Sequence, residues 1–180
     1  MKEIFSVHIK GTKHYLMNGF HQDLAKSQKR RVPTPEEDCE NALYRNANRE
    51  IYVPSIQVWA SMRNASKAFK FRGRQTFWQV LNSSVFVEPE EIIISPQTFS
   101  QFLTGVVINR SRVMKARPRF ENWSLEFRIV NTEESLTEET LKAILQEAGL
   151  RHGIGDWRPR FGTYEVTEWK KFDRETPTPQ

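Results

Sequence analysis

The sequence of 180 residues contains a single cysteine, Cys39, and this scarcity excludes several classes of protein. One cysteine supports neither an internal disulfide framework nor a cysteine-rich zinc site. No apolar run approaches the roughly 18–20 residues that a membrane-spanning helix needs. The N-terminus also lacks the long apolar segment of a signal peptide. We therefore expect a cytoplasmic protein without a membrane partner.

Aromatic residues and a small excess of positive charge are what the sequence does contain. Aromatics make up 12% of the residues, and a disordered chain would be poor in them, so we expect a folded chain. Lysine and arginine number 27 against 22 acidic residues, which gives a net charge of +5. A modestly basic, aromatic-rich domain is compatible with a nucleic-acid partner. The length suits a single domain.

The spacing of apolar residues is typical of a strand in some segments of the chain and of a helix in others. Strict alternation of apolar and polar residues predicts strands, and apolar residues spaced by three and four predict helices. Proline at position 89 interrupts one of the predicted strands, because proline cannot donate to a ladder. The predicted strands cover residues 3–10, 85–95, 106–115, 123–130 and 163–169, and the predicted helices begin at Ser55, near Thr76 and after Thr137.

Three finer predictions concern how these elements end and pair. The hydroxyl of Ser55 is predicted to cap its helix, and Gly149 is predicted to end the last helix in a left-handed conformation. The strand over 106–115 is predicted to pair with 123–130 across a turn at 118–122.

The element order predicts the fold class. A β-α-β-β-α-β order is the ferredoxin-like (RRM-like) plan, an α+β fold with an antiparallel sheet, two helices on one face and the other face open for a ligand. One such domain is predicted over residues 1–172. Residues 18–52 hold few large apolar side chains and are predicted to form a long inserted loop. The polar residues 173–180 are predicted to be a disordered tail.

A glycine-rich segment between the last helix and the last strand is the first candidate site. Four of the eight glycines and three arginines fall within residues 149–162. Glycines let backbone amides approach a phosphate, and arginines add bidentate phosphate contacts. A purely conformational linker would explain the same glycines. The candidate binding residues are Gly153, Gly155, Trp157, Arg158, Arg160 and Gly162.

Basic residues cluster in three further places. Between Arg110 and Arg119, five of ten residues are basic and none is acidic, which is typical of a β-ribbon along a phosphate backbone or of a solvated hairpin tip. A basic run at 26–31 and the basic residues on the polar face of the helix after Ser55 would likewise either contact phosphates or simply be solvated. The candidates are Arg110, Arg112, Lys115, Arg117 and Arg119 in the ribbon, Lys29, Arg30 and Arg31 in the run, and Arg63 and Lys67 on the helix.

Catalytic arrangements are weak in this sequence. The histidines show no metal-ligand spacing, so we predict no metal, no cofactor and no catalytic residue. Cys39 lies among acidic residues, which raise the pKa of a thiol. A histidine such as His14 or His152 acting as general acid or base would make the protein a metal-independent ribonuclease, and this alternative stays open.

Two short motifs resemble the RAMP superfamily, whose members form backbone subunits of CRISPR effector complexes. Val53-Pro54-Ser55, leading into a helix with Met62-Arg63-Asn64-Ala65, is similar to one characteristic segment of that superfamily. The stretch from Gly153 to Gly162 is similar to its C-terminal glycine-rich loop. The same stretch resembles short uncharacterised proteins encoded by phages and prophage regions.

The resemblance implies an RRM-like core that binds RNA or single-stranded DNA without cleaving it. It implies a backbone-type subunit of a CRISPR-like or phage-encoded ribonucleoprotein assembly, with copies of itself or other effector subunits as partners. It also adds Ser55 to the candidate contacts. The alternatives are a metal-independent endoribonuclease of the same superfamily and a phage interaction module that imitates an effector subunit.

Overall fold

The computed structural model describes residues 2–19, 33–108 and 110–172. The candidates Lys29, Arg30 and Arg31 and the predicted tail at 173–180 lie outside the described residues. The strands are β1 (Glu3–Gly11), β2 (Tyr15–Leu16), β3 (Tyr52–Pro54), β4 (Val85–Glu88), β5 (Glu91–Ser95), β6 (Ser100–Ile108), β7 (Ser111–Phe120), β8 (Ser124–Asn131) and β9 (Tyr164–Lys171). The helices are α1 (Pro35–Ala42), α2 (Ser55–Ala65), α3 (Phe77–Ser84) and α4 (Glu138–Glu147).

The main sheet is antiparallel and has the order β3-β5-β8-β1-β9. One edge of β8 pairs with β1, and its other edge pairs with β4 and then with β5. The break between β4 and β5 falls at Pro89, as the sequence predicts. Together with α2 and α4, these strands form the β-α-β-β-α-β plan, so the predicted ferredoxin-like α+β fold is confirmed.

The core lies between the main sheet and the helices. On β1, Phe5, Val7 and Ile9 are fully buried, and the register places them beside Ile129, Phe127 and Leu125 of β8. The helices contribute the buried side chains Val58 and Met62 of α2 and Leu141, Ile144 and Leu145 of α4. These are the positions that the alternating and helical periods identify, because both patterns report the side that is removed from water.

The predicted pairing of 106–115 with 123–130 is wrong. Residues 111–120 form β7, which pairs with β6 from Ser111 to Arg119 and, through Phe120 and Arg119, with β2. β6 begins at Ser100, six residues before the predicted strand, because Thr104 and Gly105 conceal its apolar alternation. The hairpin is therefore inserted between β5 and β8 of the main sheet, and β8 is free to pair with β1, β4 and β5.

The predicted helix ends also need correction. α2 has no side-chain cap, and the Ser55 amide instead donates to the carbonyl of Glu90 at 2.9 Å. Gly149 lies within a π-helical turn (Ala148–His152), and Gly153 ends that turn with φ of +64°. Gly149 has to be small because an added Cβ would overlap Tyr164. Its role is packing, and the left-handed residue is four positions later.

Part of the predicted loop over 18–52 is helical. Residues 35–42 form α1, and Thr34 and Glu37 complete a capping box at its start. Threonine followed three residues later by glutamate is a recognised helix signal, which the low apolar content of the segment obscured. No helix within residues 2–19, 33–108 and 110–172 is long and apolar enough to cross a membrane.

Candidate nucleic-acid interface

The β6–β7 hairpin, here called the arm (residues 100–120), carries the predicted basic ribbon. Its root (residues 100–102 and 115–120) is covered, since Ala116 and Phe120 are buried and α1 packs against β7. Its distal half (residues 103–114) projects beyond these contacts, with Leu103, Val107 and Met114 exposed. The five basic residues of the ribbon are divided between these two environments.

The root contains three of the five basic residues, and each has an acidic partner. Lys115 lies 2.9 Å from Asp38 of α1, whose other carboxylate oxygen accepts from the Ala116 amide at 3.4 Å. Arg119 pairs with Glu121 at 2.9 Å. These contacts neutralise charge that the sequence places in an uninterrupted basic run.

Arg117 joins the root to the glycine-rich segment. Its Nε lies 2.5 Å from Asp156, and its guanidinium lies 5.8 Å from the ring centroid of Trp157. Arg117 Nε and Asp156 Oδ2 are not aligned for a hydrogen bond, so the attraction is electrostatic. Trp157 and Phe161 pack edge-on against Phe102 of β6, with centroid distances of 5.8 and 5.4 Å. Arg117 and Trp157, both predicted contacts, therefore hold the arm in place.

The distal half presents the other two basic residues to solvent. Arg110 and Arg112 are exposed, and neither forms an ion pair within the described part of the chain. The register places Arg112 beside Val107, and Met114 beside Gly105, on one face of the hairpin. Exposed fractions on that face reach 51% for Leu103, 70% for Val107 and 57% for Met114. Arginine side chains that can contact phosphates thus lie beside exposed apolar side chains against which bases can pack.

Sequence analysis missed the three apolar residues of the distal half. Apolar residues in a strand usually face inward, so Leu103, Val107 and Met114 were not considered as candidates for a binding surface. The available signal was the even spacing of Leu103, Gly105 and Val107, which places a glycine in the middle of one strand face. Asp38 and Asp156 were missed as well, since both lie far in the sequence from the arginines and lysines that they neutralise.

The glycines of the glycine-rich segment pack against the domain itself. Gly153, Gly155 and Gly162 all have φ between +64° and +80°. A Cβ on Gly155 would lie 2.6 Å from the carbonyl oxygen of Leu16, and one on Gly162 would overlap the carbonyl of Ile154. We therefore assign these glycines to packing, in place of the predicted close approach to a ligand.

The backbone amides of the same segment are already bonded. The amides of Ile154 and Asp156 donate to the carbonyls of Gly162 and Leu16, both at 2.9 Å, and the Gly162 amide donates to His14 at 2.7 Å. The backbone amides that were predicted to bind a phosphate are therefore not available to a ligand at these three positions.

The remaining candidates lie apart from one another. Arg158 and Arg160 are exposed in the glycine-rich segment and form no ion pair within the described ranges. Arg63 lies over the Trp59 ring at 5.0 Å on α2, and Lys67 is exposed just beyond that helix. Within the described residues, no hydrogen bond, ion pair or ring contact joins Ser55, Arg63 or Lys67 to the arm. Their role in binding stays a prediction.

The open face of the main sheet was predicted to be available for a ligand, and it forms a shallow groove of about 660 Å³. The charges on this face are mainly negative, which opposes phosphate groups. The central strands β1 and β8 place no Phe, Tyr or Trp on it. By register, its carboxylates are Glu88, Glu91, Glu126, Glu165 and Glu168, and its cations are Lys10, Arg128 and Lys170.

The sulfur of Cys39 is not a reactive thiolate. Its side chain is buried in α1, and burial, followed by the carboxylates of Asp38, Glu36 and Glu40, raises the pKa of the thiol to about 11. This agrees with the predicted effect of the acidic neighbours. Among the described residues, no three histidine, cysteine or acidic side chains are grouped so that they could hold a metal ion.

Comparisons with known structures show a likeness in fold. The fold matches a chain in the cryo-EM structure of the type III-B Cmr-beta complex bound to cognate target RNA, with a TM-score of 0.65 and 11% sequence identity. The match covers 96% of this chain and 61% of that one, so the chain spans about three fifths of its neighbour's length. No family model and no curated protein matches the sequence. The likeness shows that the two chains share a fold.

Proposed function

We propose that this protein binds RNA or single-stranded DNA, without cleaving it, as a subunit of a ribonucleoprotein assembly. The observation that carries the proposal is the distal half of the arm, where Arg110 and Arg112 have no acidic partner among the described residues and lie beside exposed Leu103, Val107 and Met114. Arginines supply sequence-independent phosphate contacts. The shared fold with a chain of an RNA-bound type III-B complex supports the same class of ligand.

The assembly belongs to the same proposal. The fold shared with a chain of the RNA-bound type III-B Cmr-beta structure supports a backbone-type subunit that binds one strand beside copies of itself or beside other subunits. Light scattering on size-separated complexes tests this directly. The number of protein copies bound is expected to rise with oligonucleotide length, and a constant one-to-one complex would contradict the backbone role.

A salt titration of binding tests the role of the arm. We expect Arg110→Ala with Arg112→Ala to weaken binding of a single-stranded oligonucleotide roughly tenfold or more, about equally for all sequences, because charge-assisted contacts to phosphates are lost. Each lost phosphate contact should reduce the slope of log affinity against log salt by about 0.7. Fluorescence anisotropy at several salt concentrations measures both.

The matched control removes two positive charges elsewhere. Lys70 and Lys142 are exposed and lie outside the arm. The variant Lys70→Ala with Lys142→Ala therefore lowers the net charge by the same amount and is expected to keep the wild-type slope. Equal loss in both variants would show that only net charge matters and would remove the arm from the proposal.

Cleavage is tested separately. The protein is expected to leave RNA and single-stranded DNA intact with a divalent metal and with a chelator. Saturable cleavage that disappears in His14→Ala or His152→Ala would overturn the non-catalytic function in favour of a metal-independent ribonuclease.

A further inference from the structure

A small basic pocket lies where three loops meet at the root of the arm. It has a volume of about 270 Å³ and is lined by residues 11–14 after β1, by Asn122 between β7 and β8, and by Arg160 and Phe161 of the glycine-rich segment. Ligand pockets usually measure about 300–1,000 Å³. The volume of this pocket lies just below that range, which suits a group as small as a single phosphate.

The walls of the pocket are held by the core beneath them. The Trp123 indole donates to the carbonyl of Lys13 at 2.8 Å, and its ring occupies the space that a side chain at position 11 would need. The amides of Thr12 and Lys13 donate to the carbonyl of Thr163 at 2.9 and 3.3 Å. These bonds fix the backbone of residues 11–14, so the pocket exists before any ligand binds.

A second set of contacts joins the pocket to the arm. The Gly162 amide donates to the carbonyl of His14 at 2.7 Å, which ties the glycine-rich segment to the loop after β1. Phe161, a lining residue, also packs on Phe102 of the root. Asn122 follows two residues after the end of β7. The pocket is thus built into the base of the arm.

The charge of the pocket is of one sign. Lys13, His14 and Arg160 contribute basic side chains, and none of the described lining residues carries a carboxylate. All three side chains are exposed, and none forms an ion pair within the described part of the chain. Asn122 adds a neutral amide that can donate. This contrasts with the root, where each cation has an acidic partner, and it leaves the charge of the pocket available for an anion.

We propose that this pocket binds one phosphate group of the nucleic-acid strand that the distal half of the arm contacts. The inference rests on the proposed function and adds a second, separate contact to it. Arg112 and Phe120 are eight residues apart on β7, so the pocket lies about 27 Å from the distal cations. A strand bound at both places runs the length of the arm. The phosphate is either a terminal monoester or an internal diester.

The test uses Lys13→Ala with Arg160→Ala, and Lys70→Ala with Lys142→Ala as the charge-matched control. Both pairs of side chains are exposed, and urea melts should show that the variants remain folded. The probes are two fluorescent oligonucleotides of the same sequence, one with a 5′-phosphate and one with a 5′-hydroxyl. We expect the pocket variant to bind roughly tenfold more weakly than the control, because charge-assisted contacts to one phosphate are lost.

The two oligonucleotides distinguish the source of the phosphate. A terminal site predicts that the wild type prefers the phosphorylated strand and that the pocket variant loses this preference. An internal site predicts no preference, with both strands weakened equally and the salt slope reduced by about 0.7. A pocket variant that binds both strands as the control does would overturn the inference while leaving the distal half as the binding surface.

A strand-independent measurement separates this inference from the proposed function. Inorganic phosphate and pyrophosphate are titrated into the isotopically labelled protein while amide chemical shifts are followed. Saturable shifts at residues 11–14 and 160–161, absent in the pocket variant, support the site even if no oligonucleotide binds. Shifts that are equal in both proteins, or no shifts, would contradict it whatever the outcome for the arm.

Discussion

The two halves of the arm contain the same kind of residue in opposite circumstances. At the root, Lys115, Arg117 and Arg119 face carboxylates of Asp38, Asp156 and Glu121. In the distal half, Arg110 and Arg112 have no such partner within the described residues. A basic run in a sequence is therefore not yet a basic surface. Residues far away in the chain decide which of its charges remain available for a ligand.

The largest effect is expected at the segment that holds the root. Gly162→Ala places a Cβ against the Ile154 carbonyl at φ of +73°, so it should lower the free energy of unfolding by about 3 kcal/mol or more. Gly105→Ala is the matched control in the distal half, because no atom lies within 4 Å of the added Cβ. Urea unfolding compares the two. Similar stabilities would show that the glycine-rich segment is not packed as described.

A smaller loss is expected from the ion pair at the root. Arg117→Met leaves Asp156 partly buried without its cation, which should cost about 1–2 kcal/mol of stability. Arg112→Met should change stability by less than about 0.5 kcal/mol. Binding by the folded protein should show the reverse order. If Arg117→Met weakens binding more than Arg112→Met does, the assignment of the two halves is wrong.

Asp38→Asn should convert part of the root into ligand-binding surface. The amide can still accept from the Ala116 backbone, but Lys115 loses its ion pair and becomes available for a phosphate. We expect binding to tighten a few-fold, with the salt slope steeper by about 0.7. Adding Lys115→Ala should return the slope to the wild-type value. No change in slope would mean that the strand does not reach the root.

The smallest effect concerns Cys39, next to Asp38 in α1. Its pKa of about 11 exceeds the ordinary value of about 8.5, so between these values the unfolded chain loses the proton first and stability falls as pH rises. Alkylation of the folded protein by iodoacetamide should keep accelerating above pH 9, where an exposed thiol has levelled off. Asp38→Asn should lower the pKa slightly. A rate that levels off near pH 9 in the wild type would contradict this.

Local patterns predicted the main sheet well and the arm poorly. Phe5, Val7 and Ile9 alternate because one side of β1 is buried, and Leu141 and Ile144 recur for the corresponding reason in α4. In β6, by contrast, the apolar residues Leu103 and Val107 are exposed, so their alternation does not mark a buried side of the strand. A pattern that reports burial cannot identify an apolar strand face that is left in solvent.

The candidate site shows the same limit. The basic ribbon and the arginines of the glycine-rich segment are visible in the sequence, because residue type is a local property. The ion pairs Lys115–Asp38 and Arg117–Asp156 join residues 77 and 39 positions apart. The three loops of the basic pocket are likewise far apart in the sequence, at residues 11–14, 122 and 160–161. Tertiary structure decides which charges are neutralised and which come together in one pocket, so composition and spacing do not reveal either.

The placement of β1 has a consequence for folding during synthesis. Both of its neighbours, β8 and β9, come more than 110 residues later in the chain. At a translation rate of about 5–20 residues per second, β1 is synthesised roughly 6–23 s before its first partner strand. During that interval both of its hydrogen-bonding edges are bare and the Phe5, Val7 and Ile9 side is uncovered. Until β8 emerges and pairs with β1, these unpaired edges can template pairing with another chain, so aggregation of the nascent chain is the hazard of this topology.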